Sequence, residues 1–299
     1  MKKYPKARYY LIGLLLLAAI WSCLSCSKPR QVHQDESSGA VVMENNVPAQ
    51  ASLAIDDKHD FEVKHDFIED FWSESFDKAE LPDSVKQKII FNLMEGPDFA
   101  MELLTILGDD PALYLLVDKQ HSLSQDYIPQ DLVELGEGSY RVTRQGLTLR
   151  KLAAESLEAM ASAARLEGVI LTAASAYRTY DYQAEVYTRN VREMGQQAAD
   201  RESARPGHSQ HQLGLVVDFY PIDDSFAKTN ASLWLAKNAG RFGWSLSYPE
   251  GYEEITGYRW ESWHYRYLGR ELMAFAEKYF DSIQQYALQF ILAWLEASD

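Results

Sequence analysis

The sequence predicts an α+β fold preceded by an extra helical segment, and three observations carry that prediction. Beyond Pro111, short apolar runs of strand length alternate with long amphipathic runs at helical spacing. Between Asp60 and Leu107 only the helical period appears. Of 299 residues, 46% are hydrophobic and 24% charged, enough apolar chain for one or two cores and too much for a chain disordered throughout.

At the start, Lys2, Lys3, Lys6 and Arg8 stand without an acid before an apolar run from Tyr9 to about Trp21. That is the layout of a signal peptide, and the run falls short of the roughly 20 apolar residues of a membrane span. The stretch Ile20-Trp21-Ser22-Cys23-Leu24-Ser25-Cys26 reads as a relaxed lipobox. Residues 1–25 are therefore expected to leave and Cys26 or Cys23 to carry a lipid, giving an exported, membrane-anchored envelope protein, with plain secretion or an uncleaved anchor as the alternative. Their loss would take the net charge from −15 to −19. With 29 Lys and Arg against 44 Asp and Glu, general attraction to nucleic acid is excluded, and adhesion to an anionic membrane would come from lipid, not charge. Cys23 and Cys26 are the only cysteines, so the body of the chain has no disulfide, Cys-ligated zinc or thiol nucleophile. Composition gives no oligomeric state.

Residues 26–54 are polar and without period, and are expected to form a flexible tether. Residues 55–110 place Phe67, Phe71 and Phe76, then Val85, Ile89, Ile90 and Leu93, at helical spacing, punctuated by Leu81-Pro82-Asp83 and Glu95-Gly96-Pro97-Asp98. A small set of helices follows, serving as spacer, lid or partner surface. His59 and His65, six apart, fall on different sides of such a helix and read as a solvated face rather than a metal site. The domain expected over residues 111–299 opens with a helix at 149–166 ended by Gly168 and a buried strand at 169–174. A helix at 180–199 comes next, then strands at 215–220 and 243–248 with a helix at 232–239 between them. The tail, 271–297, makes one or two helices whose Phe275, Phe280, Ile283, Leu288, Ile291 and Leu295 are expected to pack on the domain.

His33, His59, His65, His121 and His208 have ordinary explanations, whereas His211 and His264 sit in unusual local sequence. His211 and Asp218 are seven apart, which a helix would hold at about 10 Å and a strand at about 23 Å. Sharing one ion requires a bend, and Gly214 supplies the freedom for it. Asp218 ends an apolar strand, where an unpaired carboxylate is costly. Glu261 stands three residues before His264 in an aromatic setting. Two histidines and one carboxylate form a common catalytic zinc set, which His211, Asp218 and His264 would fill, leaving Glu261 as general base. Arg178, at the end of a strand, would stabilise an oxyanion. The alternative from the residues alone is a buried Asp–His couple with Glu261 and Arg178 at the surface.

Three stretches carry a resemblance: SAYRTYDYQAEVY (175–187), ARPGHSQHQLGLVVD (204–218) and ITGYRWESWHYRYLG (255–269), with LLVDKQHSLSQDYIPQDLVEL (115–135) similar to an opening strand and loop. Together they resemble the VanY-type D-alanyl-D-alanine carboxypeptidases over about residues 113–275. The resemblance implies a small, mostly antiparallel sheet flanked by helices and one zinc ion held by His211, Asp218 and His264. It implies Glu261 as base and Arg178 as transition-state stabiliser, the same five residues chosen from chemistry. Gln183 and Ser209 would contact the end of the substrate. The implied reaction is removal of C-terminal D-alanine from peptidoglycan stem peptides, as a D,D- or L,D-carboxypeptidase. A non-catalytic, zinc-containing module that binds cell-wall peptide is the alternative. Gln210 stands where the family commonly has glutamate, Ser262 where proline is usual, and Ser247 where an arginine often precedes Tyr-Pro.

Overall fold

The structure, a computed structural model, describes residues 53–136 and 138–297, with the side chains of 53–64 and of Phe67 left out. The expected signal peptide, lipobox, His33 and nearly all of the tether lie outside the described residues, as do the side chains of His59 and Phe67. No helix among the described residues is long and apolar enough to cross a membrane.

The helical segment is present as α1 (Leu53–Lys78), α2 (Asp83–Glu95), α3 (Asp98–Gly108) and the short α4 (Pro111–Tyr114). Proline precedes α2 and α3, where its fixed φ and missing N–H are tolerated, and each opens on an aspartate that favours the helix N-terminus. Residues 115–131 form a loop rather than the expected strand, with β1 (Leu132–Glu134) only at its end. Then come β2 (Arg141–Val142), β3 (Thr148–Arg150), α5 (Lys151–Leu166) and β4 (Thr172–Ser175). The expected helix at 149–166 therefore starts two residues late, because Leu149 and Arg150 pair antiparallel with β1.

The long helix expected at 180–199 is two, α6 (Tyr180–Met194) and α7 (Gln196–Glu202), broken at Gly195, whose φ of 85° lies in the left-handed region. A 3-10 turn (Gln210–Leu213) leads into β5 (Val216–Phe219); α8 (Asn230–Asn238), β6 (Trp244–Leu246), the short α9 (Glu253–Thr256) and β7 (His264–Tyr267) complete the domain. The main sheet runs in the order β2-β4-β5-β7-β6, antiparallel throughout except for the parallel pair β2–β4. Its middle strand, β5, is buried at every position, which is why Val216, Val217 and Phe219 read as an unbroken apolar run around Asp218.

Of the C-terminal helices, α10 (Arg270–Tyr279) lies against β6 and the 3-10 turn before it (Ala239–Phe242) as expected, and also against α3, while α11 (Gln284–Ala297) packs on α1. Phe275, Phe280, Ile283, Leu288, Ile291 and Leu295 join a core made with α1, α2 and α3 rather than one on the sheet. At its centre Trp72 stacks on Phe290 and Trp294, with centroids 5.8 and 6.3 Å away, and meets Phe99 edge-on at 5.6 Å. The sheet has a second core with α5, built on Leu149, Leu157, Met160, Val217, Phe219 and Trp244 among others.

One polar tie joins the two cores, and another holds the segment that leads into the sheet. The fully buried Arg266 of β7 donates from Nη2 to the carbonyls of Leu113 (3.0 Å) and Leu115 (2.8 Å). Asp118 accepts from the backbone N–H groups of Gln120 and His121, from His121 Nδ1, and through Oδ2 from Gln285 Nε2 of α11 at 2.9 Å. Burial opposes ionisation there, but the hydrogen bonds from His121 and Gln120 win and hold the Asp118 carboxyl down to about 2. A folded-state value below the unfolded one contributes stability that is present above about pH 4 and lost as pH falls toward 2, worth about 2 kcal/mol. We expect Asp118→Asn to lower unfolding free energy by about that amount at neutral pH and to flatten its acid dependence. Urea unfolding curves collected across that pH range check both effects.

Candidate active site

Strand register assembles one row of polar side chains across the middle of the sheet. Asp218 of β5 lies opposite Ser175 of β4 on one side and His264 of β7 on the other. Directly opposed residues project to the same face, so these three side chains meet although they are 43 and 46 residues apart. His211 reaches them from the 3-10 turn, and the expected bend is at Gly214, with φ of 69°. A Cβ at Gly214 would also sit 3.0 Å from side-chain atoms of Leu132 and Arg150, so both conformation and space call for glycine there.

All three expected ligands converge. His211 Nε2 lies 3.0 Å from Asp218 Oδ2, His264 Nδ1 lies 3.0 Å from Asp218 Oδ1, and the rings stand nearly perpendicular at 5.0 Å. One ligand atom from each falls within 4.8 Å of the others, in a setting where each residue is at most 4% exposed. Asp218 Oδ1 accepts no hydrogen bond despite the nearby imidazole nitrogen. A carboxylate oxygen left unpaired beside an imidazole nitrogen is an arrangement that a shared cation would satisfy.

The far nitrogen of each ring is held by an oxygen. His211 Nδ1 lies 2.6 Å from the carbonyl of Ala176, and His264 Nε2 lies 3.4 Å from Gln210 Oε1. Such contacts orient a metal-binding imidazole. Burial, reinforced by the Arg178 guanidinium, lowers His211 to about 4, so its ring is neutral near pH 7. Burial works against the Asp218 anion, yet His211 and His264 beside it hold its carboxyl well below the usual range. A neutral His211, the His264 imidazole and an ionised carboxylate form a donor set that fits zinc.

Arg178 donates from Nη2 to Asp218 Oδ2 at 2.7 Å, and from Nε and Nη2 to Ser175 Oγ at 3.0 and 2.8 Å. Gln183 and Ser209 are both buried and line the same cavity, and Gln183 has a further duty. Its Oε1 lies 3.4 Å from Arg178 Nη1 while its Nε2 donates to the Ala204 carbonyl at 2.7 Å. Glu261 is 9% exposed, not a surface acid, with Oε2 3.5 Å from His264 Nδ1. Burial, with Asp218 adding to it, pushes the Glu261 carboxyl up to about 8. These groups line a cavity of about 350 Å³ that also takes in Tyr248, Tyr258, Arg259 and Trp263.

Among the histidines given ordinary roles, His121 and His208 bind the Asp118 side chain and carbonyl respectively. His65 lies within 3.7 Å of Asp66 and Glu69 on α1, a small exposed group of its own. Ser175 and Tyr248 escaped sequence reasoning. The only signal for Ser175 was its place three residues before Arg178, and Tyr248 showed only as the end of an expected strand and the start of the Tyr-Pro pair, although its ring packs 4.7 Å from His264. The two departures Gln210 and Ser247 prove to touch, Ser247 Oγ donating to Gln210 Oε1 at 2.8 Å.

Asp218 is buried with Arg178 as its hydrogen-bonded cation, and removing one member of such a pair leaves an uncompensated charge. We expect Arg178→Met to cost about 3 kcal/mol of unfolding free energy in chelator-treated protein. Denaturant melts of the two proteins in excess chelator measure it.

The chain matches the profile of VanY, D-alanyl-D-alanine carboxypeptidase, over residues 146–270. It is 37% identical over 163 residues to a putative carboxypeptidase, YodJ, of Bacillus subtilis, covering 52% of this chain and 60% of that protein. It is 30% identical over 162 residues to VanXYC of Enterococcus gallinarum, a bifunctional D-Ala-D-Ala dipeptidase and carboxypeptidase, covering 52% of this chain and 82% of the relative. Across the first three curated relatives the chain spans 46% to 60% of their length, about half. Among solved structures it resembles the LdcB LD-carboxypeptidase with a TM-score of 0.50 and 33% identity, covering 56% of this chain and 85% of that one. With motifs, sheet and site agreeing, the chain belongs to the VanY D-alanyl-D-alanine carboxypeptidase family.

Proposed function

We propose that this protein is a zinc-dependent carboxypeptidase that removes the C-terminal D-alanine of peptidoglycan stem peptides. The observation that carries the reading is the convergence of His211, Asp218 and His264 on one point in the wall of a cavity that also holds Glu261 and Arg178. His211 through Nε2, His264 through Nδ1 and Asp218 through a carboxylate oxygen would hold the metal. What zinc supplies when bound is Lewis acidity toward the scissile carbonyl and the attacking water. Relatives named for carboxypeptidase activity support the reaction class.

The chain's own residues supply the proton transfers and the charge. Glu261 takes the proton of the attacking water and returns it to the departing amine. A carboxyl poised near 8 holds a proton readily at neutral pH, and a cation at the neighbouring ligands favours its ionised form before attack. Arg178 Nη1, committed only to the 3.4 Å contact with Gln183, has hydrogens left for the oxygen that gains charge. Ser175 and Gln183 hold that guanidinium in place. Export and anchorage through Cys26 or Cys23 would bring the enzyme to its substrate, and the sequence of residues 1–26 supports this. Metabolic labelling with a fatty acid, compared between the wild type and Cys23→Ser and Cys26→Ser, tests the anchor.

Two variants separate the roles within the site. Glu261→Ala is expected to keep its zinc and lose turnover by about 10²- to 10⁴-fold, the usual worth of a general base, whereas His264→Ala loses the metal. Metal content by elemental analysis and D-alanine release, with and without chelator, check both. A binding module would hold zinc and peptide without releasing D-alanine. Incubation with pentapeptide and with tetrapeptide, followed by mass spectrometry, tells D,D- from L,D-cleavage.

A further inference from the structure

Behind His264 lies a pair of neutral side chains that the reaction above does not use. Gln210, His264 and Ser247 are each at most 4% exposed. Gln210 Oε1 lies 3.4 Å from His264 Nε2 and accepts from Ser247 Oγ at 2.8 Å. Ser247 is placed for this by its own backbone N–H, which donates to the His264 carbonyl at 3.1 Å.

A neutral imidazole carries one proton on one of its two nitrogens. His264 presents Nδ1 to Asp218 and to the shared point, so it can act as a ligand only while its proton sits on Nε2. An oxygen facing Nε2 favours that form, against the pull of Asp218 Oδ1, which lies 3.0 Å from Nδ1 but accepts no hydrogen bond from it. The amide turned over would face Nε2 with its NH₂, favour the proton on Nδ1, and cost the Ser247 hydroxyl its acceptor. His211 needs no such device, because its far nitrogen meets the Ala176 backbone carbonyl, which cannot be turned over.

We propose that Gln210, held by Ser247, is a positioning residue that keeps His264 in the metal-binding tautomer and so sets the affinity for zinc. The affinity half of this rests on the zinc reading above; the tautomer half does not. The test uses the full chain with ¹⁵N-labelled histidine, chelator-treated at about pH 7, the His264 signals being assigned by their loss in His264→Gln. Wild type is expected to carry the His264 proton on Nε2. Gln210→Leu should move it toward Nδ1 and weaken zinc about tenfold or more in competition with a chromophoric chelator. Ser247→Ala should move both in the same direction by less, and Gln210→Glu, which keeps an acceptor at that place, should restore both.

A proton on Nδ1 in the zinc-free wild type overturns the proposal. So do an unchanged tautomer and unchanged affinity in folded Gln210→Leu, a fault in packing alone being recognised by loss of affinity without a tautomer shift. Should Gln210→Leu fail to fold, Ser247→Ala decides by the same two readings. A wild-type chain that binds no zinc overturns the function above, while the tautomer measurement still judges Gln210.

Discussion

Everything at the centre of this molecule follows from one ionised carboxylate placed in the middle strand of a buried sheet. Asp218 is 2% exposed, and a lone carboxylate so placed would be neutralised or would unfold the strand. It stays charged because partners come to it from three directions. His264 comes by cross-strand register, Arg178 from the loop after the neighbouring strand, and His211 from the turn that leads into its own. Each partner is in turn fixed: Arg178 by Ser175 and Gln183, His211 by a backbone carbonyl, His264 by Gln210. One oxygen, Oδ1, is left without a hydrogen bond, a residual demand that the cation of the proposed reading would meet.

Holding this arrangement is a matter for both cores. The sheet with α5 fixes the register of β4, β5 and β7, on which the row Ser175–Asp218–His264 depends. A helical body made from the two ends of the described chain, α1 to α3 with α10 and α11, packs on its own aromatic centre. Asp118 joins the 115–131 loop to α11, while Arg266 ties β7, two residues from His264, to the carbonyls of Leu113 and Leu115 within the sheet core. The same loop holds the segment before the His211 turn, through Leu123 N–H to the Gly207 carbonyl and His208 to the Asp118 carbonyl. The helical body is thus tied, through Gln285 and Asp118, to the loop that contacts the segment before His211.

The parts of this legible in the sequence were those written into neighbouring residues. Helices showed through their period, the bend at Gly214 through a glycine between a histidine and an aspartate, and the ligands through donor types that zinc favours. What escaped depended on tertiary structure. The boundary at residue 151 was misplaced because pairing with β1 overrides the helical pattern of Leu149 and Arg150, and the break at Gly195 was hidden inside an otherwise helical run. The tail helices carried an apolar face that the sequence could assign to no particular partner, since periodicity states that a face is buried and not against what.

The residues that position the ligands were the least legible, and for a physical reason. A metal ligand is recognised by what its atom can do, and few residue types can do it. An oxygen that orients a ligand may be a backbone carbonyl, an amide or a hydroxyl, and nearly every segment contains one. Ala176 serves His211 through its carbonyl alone, so no side chain at that position could announce the role. Gln210 is the residue next to a ligand, yet it serves the other one, 54 residues on, because the 3-10 turn and β7 face each other across the site. Its partner Ser247 lies in a third segment, 37 residues away. Only the register of the strands converts these separations into contact, and that register is set by the apolar faces buried in the sheet core.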